Sequence, residues 1–423
     1  MGCQSTIKTK EELATQFNRE LCKIIFNSLP ERKDIDLQKL KEIIKSNTLK
    51  CSQKEKFYII YLWICENIDY DDKSFFAGKF INCTPEYVFK KGKTVCTGYS
   101  RLFRDIALFL DLNAQCIKCF SKGFGYEPGK KLTKLNHEYN LINIDSMWFP
   151  VDLTWGAGHF EGKKFIKQFK IVIVIFNELF FCINPELLIQ THFPENEKWQ
   201  LTKRIHTLDE FLKKPQINTN FFEFNFNKYS PEEGFIILKD KNMQKFIIWN
   251  IDMKNKNASC KIYFADKKSF KQLLNCDMIN YFTDRFEVDC IFNKKGKYKV
   301  ELYGNKDGSP KTYNILTYII IVEKNMEKEL KFPLYYNESK QIKIFEPLYN
   351  DLKSGDKVKF KIKSDLDKII IADEQWHYLN KDANGFFETE IIIKNRPGQK
   401  IIIGKENENK ENTCVFMASY NVS

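Results

Sequence analysis

Cys96, His137 and Asp152 are a thiol, an imidazole and a carboxylate, the set that makes a cysteine a nucleophile toward acyl carbon. The stretch Thr94-Val95-Cys96-Thr97-Gly98-Tyr99-Ser100 continues through Arg101–Asp105 as a short turn running into an amphipathic helix that begins at Cys96. The first N–H groups of a helix lack intrahelical partners and, with the macrodipole, present partial positive charge that favours thiolate over thiol. His137 opens an apolar-rich strand, Asn136–Ile142, and the return strand Trp148–Trp155 carries Asp152. Their separation of 15 residues is odd. An even-length loop such as Asn143–Ser146 would therefore set the two side chains directly opposite on one face of an antiparallel pair. The carboxylate would hold the tautomer of the base, and the base would serve the thiol.

The elements that must position these groups are legible around them. Ser52-Gln53-Lys54-Glu55 has capping-box spacing and precedes Phe57, Ile60, Tyr61, Ile64 and Ile68 at helical intervals. The helix from Cys96 turns Leu102, Phe103, Ile106, Phe109 and Leu110 inward, and strands are predicted at 115–120, 137–144 and 148–154. Residues 11–48 read as one or two short helices interrupted at Leu29-Pro30-Glu31. Helices leading into strands, with the nucleophile on the last helix, make an α+β arrangement.

At 423 residues the chain is too long for one ordinary core, and 43% hydrophobic with 15% aromatic content gives ample material for packed domains. The formal charge of +12 comes from lysines spread among acids. With no zinc-finger, RRM, KH or phosphate-cradling glycine pattern, it reads as a solvated surface with mild affinity for anionic membranes, and nucleic acid is not expected as a partner. Thirteen irregularly spaced cysteines and no signal peptide indicate reduced thiols in a cytosolic compartment. Cys116-x-x-Cys119 lies in a predicted strand, where i and i+3 point to opposite faces, so both read as core thiols and neither metal nor cofactor is expected. The longest apolar run, Ile171–Phe176, is far too short to cross a bilayer.

The N-terminus, Met1-Gly2-Cys3-Gln4-Ser5-Thr6, matches a myristoylation pattern at Gly2, and Cys3 stands where a second acyl chain can be added. Two lipids with Lys8 and Lys10 would make a stable peripheral anchor on the cytoplasmic face of a membrane. A helix at Leu208–Lys213 and Pro215 mark a boundary. Beyond it come short strands, at Phe221–Phe226, Phe235–Leu238, Lys245–Ile251, Cys260–Ala265, Arg285–Phe292, Tyr298–Gly304 and Tyr313–Val322. The charged connector Glu323–Lys331 precedes a second set. The expected division is an N-terminal acylated tail with short helices (1–48), a catalytic domain (49–215) and two β-sandwiches (216–323 and 330–423).

Four ordered blocks resemble the transglutaminase-like superfamily of papain-type folds and, within it, the kyphoscoliosis peptidase family. They are Tyr61–Asp71, Val95-Cys96-Thr97-Gly98-Tyr99-Ser100, Asn136-His137-Glu138-Tyr139-Asn140 and Trp148–Gly158; Thr191–Leu201 resembles a segment of the kyphoscoliosis branch. The resemblance implies an α+β papain-like/transglutaminase-like catalytic domain followed by two all-β immunoglobulin-like sandwich domains. It implies a nucleophile at Cys96, a general base at His137 and its orienter at Asp152, with acyl transfer from protein amides through a thioester. Trp63 is an oxyanion candidate by its place in a matching block, beside the Cys96 backbone N–H. Two positions depart from the family pattern: Glu138 replaces a small residue and Ser146-Met147 a glycine turn.

The other twelve cysteines read as buried small hydrophobes, His159 and His192 as loop or structural residues, and Trp148 and Trp155 as packing. Three readings of function stand side by side. The first is a cysteine peptidase or transglutaminase-like acyltransferase acting on proteins. The second is a noncatalytic scaffold that binds partners through its β-domains. The third is small-molecule acyl transfer of the arylamine N-acetyltransferase kind, which the long β tail disfavours.

Overall fold

The first helices form where apolar spacing and caps put them: α1 (Arg19–Ser28), α2 (Leu37–Asn47) and α3 (Gln53–Asn67). Ser52 and Glu55 close a reciprocal capping box at the start of α3. Every residue of α3 from Phe57 to Cys65 is buried, so this helix is the axis of the core rather than an amphipathic cover. After β1 (Asp69–Tyr70) come α4 (Asp72–Phe76), α5 (Pro85–Lys91), β2 (Lys93–Thr94) and α6 (Cys96–Phe109). α6 buries Leu102, Phe103 and Ile106, and Phe103 stacks on Phe57 of α3.

The structure, a computed structural model, describes residues 17–167, 179–250, 252–253, 256–266, 269–306, 308–336, 340–407 and 413–423. Gly2, Cys3 and the apolar run Ile171–Phe176 lie outside the described residues. The chain divides into two units, Met1–Tyr126 with Lys130–Leu212 and Glu127–Gly129 with Lys213–Ser423.

In the first unit the remaining elements are β3 (Ala114–Ser121), β4 (His137–Ile144), β5 (Met147–Val151), α7 (Leu153–Ala157), β6 (Gly158–Glu161), β7 (Lys164–Lys167), α8 (Pro185–Leu188), β8 (His192–Pro194) and α9 (Leu208–Lys213). Four strands make an antiparallel sheet in the order β5-β4-β3-β8. The β4–β5 hairpin is tighter than predicted. Asp145 and Ser146, at φ 48° and 66°, form a two-residue loop with both residues left-handed, the turn whose twist suits a hairpin. Ser146 thus does the work of the missing glycine. In this register Asn140 pairs with Val151, so His137 and Asp152 are not directly opposite.

A second correction concerns Asp152 itself. The strand predicted to reach residue 154 ends at Val151, and Asp152 is the N-cap of α7, its Oδ1 accepting the Trp155 N–H at 3.0 Å. Capping fixes the carboxylate more firmly than a strand position would, because one oxygen is already bound to backbone.

The second unit holds two β cores. In the first, strands Phe226–Ser230, Met243–Asn250, Arg285–Ile291 and Asp277–Tyr281 form one sheet, opposite a second in which Phe235–Leu238 pairs in parallel with Tyr313–Val322. Phe246, Ile248, Phe286, Val300 and Leu302 fill the space between. The strand predicted at Phe221–Phe226 is instead a short helix, Thr219–Glu223, capped by Asn218, with the strand beginning at Phe226. The second core packs Phe360, Ile362, Ile371, Phe387, Ile401 and Tyr420 between a five-stranded and a three-stranded sheet. Among the described residues no helix is long and apolar enough to cross a membrane.

Candidate active site

Cys96 is the first residue of α6, after the extended Val95, and is partly exposed. Two features hold that helix end in place. Thr94, in β2, pairs with Tyr70 of β1, and the Gly98 backbone lies so close to the Thr94 side chain that a Cβ there would collide with it. Tyr99 donates its hydroxyl to the Ile68 carbonyl at 2.7 Å. The strand bearing the imidazole is tied to the same helix: Asn140 Nδ2 donates to the Ser100 carbonyl at 3.0 Å and Ser100 Oγ to the Tyr139 carbonyl at 3.3 Å. Asn136 pairs with both backbone groups of Ser121 and fixes the point where β4 begins.

His137 Nε2 lies 2.6 Å from Asp152 Oδ2, and Cys96 acts electrostatically on the same imidazole. A carboxylate only accepts, so Nε2 carries the proton and Nδ1 is the nitrogen left for the thiol. Burial disfavours the imidazolium, but the charge and hydrogen bond of Asp152, with Cys96, outweigh it and raise His137 to about 10. Asp152 is 1% exposed, and burial alone would raise its pKa. The charges and hydrogen bonds of His137 and His192 reverse that and hold it well below the usual carboxylate range. The arrangement is a buried imidazolium–carboxylate pair whose outer nitrogen is free to serve the Cys96 thiol.

Sequence reasoning missed two neighbours. His192, read as structural, donates from β8 to the same oxygen, Asp152 Oδ2, at 3.0 Å. Tyr70 is half-buried, and burial first, then the charges of Cys96 and Asp152, push its phenol far above its ordinary range. Its backbone pairs with Thr94, two residues before Cys96, and its phenol stays protonated, able to donate or accept a hydrogen bond through oxygen. Its ring stacks on Phe165 and meets Phe75 and Phe160 edge-on, while Phe124, 49% exposed, packs on Phe160. An aromatic face thus runs from the neighbourhood of Cys96 to solvent.

Trp63 is not brought to the site as an oxyanion donor: its indole N–H donates to the Pro30 carbonyl at 3.0 Å and its ring stacks on Phe89. Trp155 packs against His192 and Trp148 against Trp199, and His159 lies on the surface beside Glu161. Glu138, beside His137 in sequence, is buried with its Oε1 lacking a hydrogen-bond partner. Cys116 and Cys119 are free thiols on β3. His137, Asp152 and His192 offer three ligand-type atoms within 4.8 Å. A tetrahedral ion about 2.0 Å from each would spread them to roughly 3.3 Å apart. The separations of 2.6 and 3.0 Å are those of direct hydrogen bonds.

Residues 40–153, which include Cys96, His137 and Asp152, match the transglutaminase-like superfamily, and residues 208–333 match the KY-like immunoglobulin-like domain. The chain is 29% identical to the kyphoscoliosis peptidase of Mus musculus over 186 residues, 44% of this chain and 27% of that protein. It is 29% identical to the kyphoscoliosis peptidase of Homo sapiens over 185 residues, 43% of this chain and 27% of that protein. Hillarin of Drosophila melanogaster is 25% identical over 244 residues, 56% of this chain and 29% of that protein. The chain therefore spans little more than a quarter of these relatives.

Proposed function

We propose that this chain, in which a transglutaminase-like domain precedes a KY-like immunoglobulin-like domain, is a cysteine-dependent acyl-transfer enzyme acting on protein amides. Cys96 is the nucleophile, His137 the general base and acid, and Asp152 its orienter. The observation that carries the reading is the 2.6 Å His137–Asp152 hydrogen bond, with Cys96 at the start of α6 acting on the same imidazole.

The Cys96 thiolate attacks the carbonyl carbon of a peptide or glutamine amide. Negative charge moves to the carbonyl oxygen, which requires donors; the Cys96 backbone N–H is one and the Tyr70 phenol replaces Trp63 as the side-chain candidate. His137 gives its Nδ1 proton to the amide nitrogen as the C–N bond breaks, and a Cys96 thioester remains. Water or an amine, losing its proton to His137, then attacks the thioester and frees Cys96. The aromatic face that includes Tyr70, Phe160 and Phe124 supports a protein substrate with apolar side chains over a small polar acyl donor.

Iodoacetamide near neutral pH tests the reading. Fast, selective alkylation of Cys96 that His137→Ala abolishes is expected. Reactivity equal to that of the other accessible thiols would leave a noncatalytic scaffold that binds partners through its β-domains. An acyl group transferred from a coenzyme A thioester to Cys96 would favour small-molecule acyl transfer instead. The proposal extends to the N-terminus: acylation at Gly2 and Cys3 would tether the enzyme to the cytoplasmic face of a membrane. An unmodified terminus by intact-mass analysis of the protein from its native cells would remove that tether.

A further inference from the structure

We infer that His192 is a positioning residue of this site, holding Asp152 ionised and aimed at His137, so that Cys96, His137, Asp152 and His192 act in series. The assignment rests on the acyl-transfer reading. His192 lies in β8, whose register sets it against Ser121 of β3, and it is 1% exposed. Its Nε2 is 3.0 Å from Asp152 Oδ2 and its Nδ1 is 2.8 Å from Thr191 Oγ1. Since the carboxylate only accepts, Nε2 must carry a proton. Burial, reinforced by the like charge of His137, lowers the His192 pKa against the pull of Asp152 and keeps the ring neutral. A neutral ring has one N–H, so Nδ1 is an acceptor, and the Thr191 hydroxyl donates to it in preference to the Leu188 carbonyl at 3.3 Å. Thr191 thus selects the tautomer of His192 that can serve Asp152.

The consequence follows from counting acceptors. Oδ2 takes N–H groups from His137 and His192, and Oδ1 takes the Trp155 N–H at 3.0 Å. A carboxylate that accepts three N–H groups stays ionised despite burial and cannot rotate away from the base. Among the described residues, the other ionisable groups acting on it are Tyr61 and Cys65 from α3, Tyr70 from β1, Cys119 from β3 and Tyr139 from β4. Burial holds each of these in its neutral form. Removing His192 therefore removes the second donor that, among the described residues, reaches the carboxylate oxygen held by His137.

The test uses the full chain and two readouts. In the first, histidine labelled with nitrogen-15 reports tautomers directly. Nε2–H with an unprotonated Nδ1 is expected for His192, unchanged through neutral pH and altered in Thr191→Val. An Nδ1–H tautomer, or a ring that protonates near neutrality, would overturn the assignment whatever Cys96 does. In the second, the pH profile of Cys96 alkylation by iodoacetamide is compared among variants. His192→Phe should move the acid limb upward by about one pH unit, close to tenfold slower at a pH on that limb. His192→Gln, which keeps an N–H at similar reach, should restore it. A uniform loss of rate in both variants, with the limb unmoved, would reduce His192 to packing. Unselective alkylation of the unmodified chain would sink the acyl-transfer reading while the nitrogen spectra still decide the bonding of His192.

Discussion

Asn140 holds the helix of the nucleophile onto the strand of the base: its Nδ2 donates to the Ser100 carbonyl at 3.0 Å and to the Gln115 carbonyl at 3.3 Å, three residues along β4 from His137. Ser100 is one turn into α6 from Cys96, so this amide sets the spacing of thiol and imidazole. Asn140→Leu would leave two carbonyls without that donor in a fully buried place. We expect a loss of about 1–3 kcal/mol in unfolding free energy and slower Cys96 alkylation. Chemical denaturation and labelling rate on the same sample check both, and a variant that loses stability with no change in labelling would separate Asn140 from the site.

The glycine at the second position after Cys96 is required by a neighbour rather than by its own backbone. A Cβ at Gly98 would meet the Oγ1, Cβ and Cγ2 atoms of Thr94. Gly98→Ala should cost about 1–3 kcal/mol. Adding Thr94→Ala, which removes two of the three colliding atoms, should recover part of it. Thermal unfolding of the single and double variants measures the recovery, and additive losses would show that the two residues do not compete for space.

These relationships also show what could and could not be read from the chain. Ser52 with Glu55, the helix from Cys96 and the strand from His137 depend on neighbours in sequence, and they appear as the sequence predicts. Asp152 reads as a strand residue because an acid in an apolar run looks the same in either setting until Trp155 folds back onto it. The Phe221–Phe226 segment reads as a strand by its aromatics, yet Asn218 caps a helix there. Trp63 satisfies its motif position while its indole faces Pro30, a partner 33 residues away. His192 was the least legible, since its partner Asp152 is 40 residues distant and the β3–β8 register that joins them is not written locally. The available signal was Asp152 itself: a carboxylate that deeply buried needs more than one donor.

The buried pair makes stability depend on pH in a direction that can be worked out. His137 is raised from its ordinary 6.5 to about 10, so its contribution is complete below 6.5 and is lost as pH rises toward 10. The native state holds the extra proton there, and stability should fall by at most about 1.4 kcal/mol per pH unit. Asp152 is lowered, so its share is present above the ordinary carboxylate pKa and is lost only as strong acid protonates it. His192 is lowered and must stay neutral, so it adds a penalty as pH falls below 6.5. Urea unfolding between pH 6 and 10 should show the decline, and His137→Gln should flatten it. A decline of equal slope in that variant would mean that another group titrates.

Tyr70 can be tested apart from the rest of the site because two reactions of one thiol differ in what they ask of it. Alkylation by iodoacetamide is a displacement at saturated carbon and develops no oxyanion, whereas hydrolysis of a p-nitrophenyl acyl ester passes through one. The Tyr70 phenol, kept protonated by burial and by the charges of Cys96 and Asp152, has a proton to donate. Tyr70→Phe keeps the ring that stacks on Phe165 and removes only the hydroxyl. We expect ester hydrolysis to fall by about 10²–10³ in kcat, the range for losing one oxyanion donor, with the alkylation rate unchanged. If both rates fall together, Tyr70 acts on the thiolate or on Asp152 rather than on the oxyanion. If neither falls, the second donor lies elsewhere and the Cys96 backbone N–H remains the one assigned.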